Sequence, residues 1–226
     1  VSVTRSETLV RDVVCGGGQP CFGFTPDGAG YKTPHGVEFN PEKARALLAQ
    51  AGFPGGKGFP RLELMTTSRE VQKTMAEAIQ GMWKKHLGVH VDIRSCEWTA
   101  YKFAQNSMQY DFSSSSWSGD YLDPSSFLDL WSSASGNNNT GWSRPEYERL
   151  LAESRATGDQ EKRMALLARA EALMLSESPV IPLYWARRSY LKRPEVRGWH
   201  PLLLDNHLFE DISLGAPREQ GKEAAP

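Results

Sequence analysis

Three cysteines in 226 residues are too few for a disulfide framework. Cys15 and Cys21 flank Gly16, Gly17 and Gly18, so the sequence fits either a local bridge in an oxidising compartment or two unpaired small hydrophobes. An excess of charge is also missing: Lys and Arg number 26, Asp and Glu 27, for a formal net charge of -1. That balance sets up no field to draw in nucleic acid or an anionic membrane surface. No window approaches the roughly 18 uninterrupted apolar residues that a membrane span needs. No basic stretch followed by an apolar run comes after Val1, so a secretory leader is not read in these residues. There is no internal repeat.

The motifs of several chemistries are absent as well. No P-loop and no G-x-G-x-x-G occurs, which removes the usual phosphate cradles. Ser113, Ser114, Ser115 and Ser116 form a run, but without a G-x-S-x-G elbow or a Ser/His/Asp order. Small polar groups lining a cavity are the simpler reading of that run. His86 and His90 have the spacing of a helical metal pair. Gly88 falls between them where a helix should end, and no third ligand is near, so no metal site and no cofactor is read. Catalysis finds no motif here.

What remains is a chain with 39% hydrophobic and 23% charged residues, long enough to bury a real core. Thr4 to Glu7 has the form of a capping box ahead of an apolar face of Leu9, Val10, Val13 and Val14. Residues 16–39 are rich in Gly and Pro, and Phe22, Phe24, Tyr31 and Phe39 are expected to pin this long loop to the core. Asn40 and Pro41 open a helix whose predicted buried side is Ala44, Leu47, Leu48 and Ala51. Residues 61–66 alternate as a strand, and residues 70–87 repeat apolar side chains at three- and four-residue spacing. Residues 89–96 alternate again. Strand, helix, strand predicts a βαβ unit with parallel strands. A helix over 99–107 leads to a third strand.

That third strand delivers the segment around which the chain is organised, YDFSSSSWSGDYLDP at residues 110–124. It carries Trp117, Asp120 and Tyr121 into a loop at a strand end, where open α/β sheets place ligands. Asp123 precedes Pro124 and is read as a helix N-cap. Asp120 has no such job. Its residue type fits an ordinary turn aspartate and equally the counter-charge for a cation, flanked by two aromatic faces. Downstream, Phe127, Leu128 and Trp131 mark a short helix, and residues 132–142 a polar loop. Ser143 to Glu146 forms a second capping box before Tyr147, Leu150 and Leu151. A helix over 160–176 carries Met164, Leu167, Leu173 and Met174, and residues 179–185 read as an apolar strand. Residues 194–214 read as irregular, and 215–226 as a disordered tail.

Five stretches carry a resemblance: FNPEKARALLAQAGFPGGKGFPRLEL, AEAIQGMWKKHLGVHVDIRSCEW, YDFSSSSWSGDYLDPSSFLDLW, SGNNNTGWSRPEYERLL and SPVIPLYW. In this order, over about residues 4–214, the chain resembles the C-terminal half of the family 5 extracellular solute-binding proteins. These are the oligopeptide- and dipeptide-binding components of bacterial ABC importers. The resemblance implies an α/β fold: one lobe of a type II periplasmic-binding-protein fold, a mixed sheet flanked by helices. It implies a ligand-binding lobe at 1–178, then a hinge crossing and return segment at 179–214 toward a first lobe that mostly precedes residue 1. Orphaned in this way, the apolar side chains of 179–214 are expected either to self-associate, packing on a neighbouring copy, or to stay mobile.

The same resemblance implies that Asp120 anchors the amine of a bound peptide, with Trp117, Ser118 and Tyr121 beside the ligand. Some members carry arginines three and twelve positions before that tryptophan to neutralise a peptide C-terminus. Here those positions are Ser114 and Gln105. Longer peptides, or a cationic solute such as a nickel chelate or an opine, stay open as ligands. The implied partners are a peptide and a membrane permease, with no nucleic acid. The implied location is the periplasm or a lipid anchor at the outer membrane face. The implied role is non-enzymatic. The rival from another class is a hydrolase using Asp120 or the serine run.

Overall fold

In the computed structural model, residues 2–202 and 207–215 are described. Leu203, Leu204 and the expected tail beyond Gly215 lie outside the described residues. The chain divides into two compact units, 1–187 and 188–226.

The first unit is built on a βαβ core. Strand β2 (Leu62–Thr67), helix α3 (Glu70–Leu87) and strand β3 (Val91–Cys96) follow one another, and the strands pair in parallel from Leu62↔Val91 to Thr67↔Cys96. Helix α4 (Trp98–Asn106) leads to β4 (Phe112–Ser113), which pairs in parallel with β2 on its other side. The sheet order is therefore β3-β2-β4. Period-two alternation along β2 places its residues on two faces. Leu64 is buried with Leu9, Met75, Ala76 and Ile79 on the α3 side. Met65, its neighbour, is buried with Tyr101 and Ala104 on the α4 side. One sheet thus separates two helical layers.

Helix α3 ends where the sequence places Gly88. This residue sits at φ 70, a left-handed cap. A Cβ there would lie 2.3 Å from the carbonyl oxygen of Gly55, in the 3-10 turn Pro54–Gly56, so the position is closed to any side chain.

A second core cluster gathers the C-terminal helices of the unit. Helix α5 (Ser125–Leu128) runs into the 3-10 turn Asp129–Trp131, followed by α6 (Pro145–Ala156) and α7 (Gln160–Glu177). Leu128, Trp131, Tyr147, Leu151, Leu167 and Met174 meet there with Tyr31 from the long loop. Tyr147 keeps its hydroxyl satisfied by donating to the Leu128 carbonyl at 2.7 Å.

Several local expectations shift. Thr4 does not cap a helix: its hydroxyl accepts from the Trp83 indole at 2.9 Å, so a tertiary partner takes the capping oxygen. The first helix, α1 (Ser6–Leu9), runs into a π-helical turn at Val10–Val14. The second capping box does not form either, and α6 opens on Pro145 without a side-chain cap. Asn40 does cap α2 (Pro41–Gln50), accepting from the Lys43 amide at 3.0 Å. No α2 residue is fully buried, and Leu47 stays 49% exposed, because the helix rides on the rim of the unit. Cys15 and Cys21 are free thiols, one exposed and one buried, which selects the unpaired alternative.

Antiparallel pairing occurs in two small ladders: β1 (Gln19–Pro20) with β5 (Tyr184–Trp185), and β6 (Val196–Arg197) with β7 (Ser213–Leu214). The strand expected over 179–185 shrinks to two residues. Leu183 and Tyr184 find apolar partners inside the first unit, against the cluster around Leu9 and Ile79. In the second unit Trp199 packs against Tyr190 and His207, at ring separations of 4.2 and 4.9 Å. No helix among the described residues is long and apolar enough to cross a membrane.

Candidate functional site

The site begins where β4 ends, at the carboxyl edge of the parallel sheet. The Ser114 amide still bonds the Met65 carbonyl at 2.9 Å, and beyond it the backbone leaves the sheet. A polar network holds this exit. The Tyr101 hydroxyl donates to the Ser114 carbonyl and lies 3.1 Å from the Ser113 hydroxyl. Gln105, buried, donates to the Tyr101 oxygen at 3.1 Å and accepts from Lys102 at 2.8 Å. The Ser114 hydroxyl donates to Gln72 at 3.1 Å. The two positions where the resemblance raises arginines, Ser114 and Gln105, are thus partners in one network whose charged member is Lys102.

Past this exit the loop is tied to α5, at Ser126 above all. The Trp117 indole donates to the Ser126 carbonyl at 2.8 Å, and the Asp120 amide to the Ser126 hydroxyl at 2.7 Å. Between them Gly119 passes so close to Phe127 that a Cβ would meet its ring at 2.8 Å. Trp117 packs one side against the core around Trp131 and Leu128. Tyr121 is 47% exposed, its hydroxyl 3.2 Å from that of Ser125. Ser118 is exposed.

The two aspartates, three residues apart, have opposite fates. Asp123 accepts from the Ser125 amide at 2.9 Å and takes both arms of the Arg163 guanidinium, at 2.7 and 2.8 Å. Burial by itself would raise its pKa, but Arg163 and the Ser125 bonds overcome this and hold it at about 2. Asp120 is exposed, and among the described residues its carboxylate makes no hydrogen bond or ion pair. An exposed carboxylate on a held backbone, with an indole three residues before it and a phenol directly after, is equipment for a cation.

Within the serine run, Ser113 and Ser114 bond to Tyr101, Gln105 and Gln72, while Ser115 and Ser116 are exposed. His86 lies against Phe39, with ring centroids 5.5 Å apart, and His90 lies 3.6 Å from Asp92, so the two imidazoles serve different neighbours. Among the described residues no three His, Cys, Asp or Glu side chains group as a metal site. Sequence reasoning missed Ser126 and Arg163, the residues that fix the loop and neutralise Asp123. A serine inside a helix and an arginine 40 positions away carry no local signal.

Comparison with known proteins gives the family. A profile described as bacterial extracellular solute-binding proteins, family 5 Middle, matches residues 6–139, more than half of the chain. The oligopeptide-binding protein OppA of Bacillus subtilis (strain 168) is 31% identical over 201 residues, covering 85% of this chain and 37% of its own. The dipeptide-binding protein DppE of the same organism is 33% identical, covering 78% of this chain and 33% of its own. Among solved structures, a periplasmic oligopeptide-binding protein of Borrelia burgdorferi, OppAIV, superposes with a TM-score of 0.86 at 32% identity. That match covers 94% of this chain and 43% of that one. The murein tripeptide binding protein MppA of Escherichia coli gives 0.82 at 28% identity, covering 94% and 43%. The chain spans well under half the length of these relatives. Its fold is that of the periplasmic binding proteins, and the chain belongs to the bacterial extracellular solute-binding proteins of family 5.

Proposed function

We propose that this chain supplies the peptide-amine site of the substrate-binding component of an ABC importer. The observation that carries the reading is Asp120: exposed, its carboxylate unpartnered among the described residues, with Trp117 and Tyr121 near it in the chain, on a loop fixed by Ser126. A free carboxylate on a held backbone recognises an ammonium group without committing to side chains. The names of the relatives, oligopeptide-, dipeptide- and murein tripeptide-binding, supply the ligand class. Ser118 lies beside the bound chain. Residues 1–178 form one lobe, and 179–214 cross a hinge toward the other, closing on peptide from both sides. The intact protein works outside the cytoplasmic membrane, hands its ligand to a permease and performs no chemistry on it.

Calorimetry on the intact protein tests this. Asp120→Asn should weaken trialanine by about 1.5–3 kcal/mol, the scale of a hydrogen bond to a charged group, and leave N-acetyl-trialanine unchanged. Equal losses for both ligands would remove the amine-anchor role, and cleavage of either peptide would overturn the non-enzymatic reading.

A further inference from the structure

Glu171, on α7, is a carboxylate with no exposed surface at all, in the middle of the apolar cluster of Tyr31, Leu167, Ala170 and Met174. Such burial is tolerated only if the oxygens are fully engaged. Oε1 accepts from the backbone amides of Phe24 and Thr25, at 2.7 and 3.1 Å, and Oε2 from the Tyr31 hydroxyl at 2.6 Å. All three donors come from the long Gly- and Pro-rich loop, about 140 residues earlier in the chain. The fit is close: a Cβ on Gly23 would lie 2.8 Å from Oε1. With its amide held there, Phe24 presents its ring edge-on to Trp131 at 5.0 Å and to Phe127 at 6.2 Å. Phe127 is the side chain that Gly119 passes over, and its neighbour Ser126 holds both Trp117 and Asp120.

We propose that Glu171 is a positioning residue for the binding segment: its carboxylate fixes the loop so that Phe24 backs α5, and α5 in turn sets Trp117 and Asp120. The inference rests on the peptide reading for its functional consequence only. The geometric claim stands apart from it. Glu171 touches no ligand, and acts through one aromatic contact and one serine.

The test uses the intact protein labelled with 5-fluorotryptophan, with the Trp117 fluorine signal assigned by Trp117→Phe, together with calorimetric affinity for trialanine. Glu171→Leu, which removes the acceptors, should shift the Trp117 signal and weaken trialanine about tenfold or more. Glu171→Gln keeps an oxygen for the two amides, so both readouts should return close to the parent. Should Glu171→Leu fail to fold, Phe24→Leu takes its place. That variant leaves the carboxylate bonds intact, and should still move the Trp117 signal and lower affinity. A folded Phe24→Leu protein with the parent's signal and affinity overturns the proposal, as does a Glu171→Gln protein no closer to the parent than Glu171→Leu. If the parent itself binds no trialanine, the peptide reading fails, while the fluorine signal still decides the role of Glu171.

Discussion

Asp120 and Asp123 show how little residue type settles before packing is known. Both are aspartates in one polar loop, yet one is neutralised by Arg163 and the other faces solvent uncommitted. Part of that division was legible. An aspartate directly before a proline at a helix start is an N-cap candidate, and Asp123 does accept from the Ser125 amide. Its ion pair was not legible, because Arg163 lies on a helix 40 residues away. The pair has a pH signature. Asp123 falls from an ordinary 3.8 to about 2, so its stabilisation is complete above the ordinary value and is lost as pH drops toward the lower one. At about pH 3, partway down that limb, the loss should be roughly 1 kcal/mol. Arg163→Met should cost about 1.5–3 kcal/mol at neutral pH and flatten that acid limb. Urea unfolding at neutral pH and at about pH 3 checks both. A variant as acid-sensitive as the parent would contradict the assignment. Glu171 was invisible in the sequence for the same reason as Arg163: a glutamate in a helix reads as solvated until three donors arrive from a distant loop.

Elements were more legible than residues where periodicity and punctuation agree. Helix α3 carries an apolar stripe, basic residues in its last turn and Gly88 after it, and it runs as expected over Glu70–Leu87. The parallel pairing of β2 and β3 follows from the strand, helix, strand order. Strand β4 is only two residues long: the backbone leaves β2 once the Ser114 amide has bonded the Met65 carbonyl, and the Ser114 hydroxyl turns to Gln72. The first capping box is lost to a tertiary partner, the Trp83 indole on Thr4, while at the second Glu146 lies beside Arg149 on its own helix. Gly88 offers the element-scale test. Its positive φ and the carbonyl of Gly55 at 2.3 Å leave an added methyl no room. Gly88→Ala should therefore destabilise the protein by about 1–3 kcal/mol, measured by denaturant unfolding. A cost below about 0.5 kcal/mol, the range of ordinary surface changes, would show that the turn at Gly55 yields freely.

For the whole molecule, the fold assignment rests on order: the matched stretches run through the chain in the family's sequence and superpose on its solved members. The function rests on far less surface, one loop at the carboxyl edge of a three-stranded sheet. Every structural feature around that loop serves to hold it. Ser126 ties its backbone, Gly119 lets it pass Phe127, and Arg163 removes the competing charge of Asp123. What is held out to solvent is the Asp120 carboxylate, with Trp117 and Tyr121 near it in the chain. The most direct measurement is a crystal structure of the intact protein with trialanine bound. The account predicts the peptide ammonium within about 3 Å of the Asp120 carboxylate, the length of a charge-assisted hydrogen bond, with Trp117 and Tyr121 alongside. A peptide seated elsewhere, with Asp120 still facing open solvent, would contradict it.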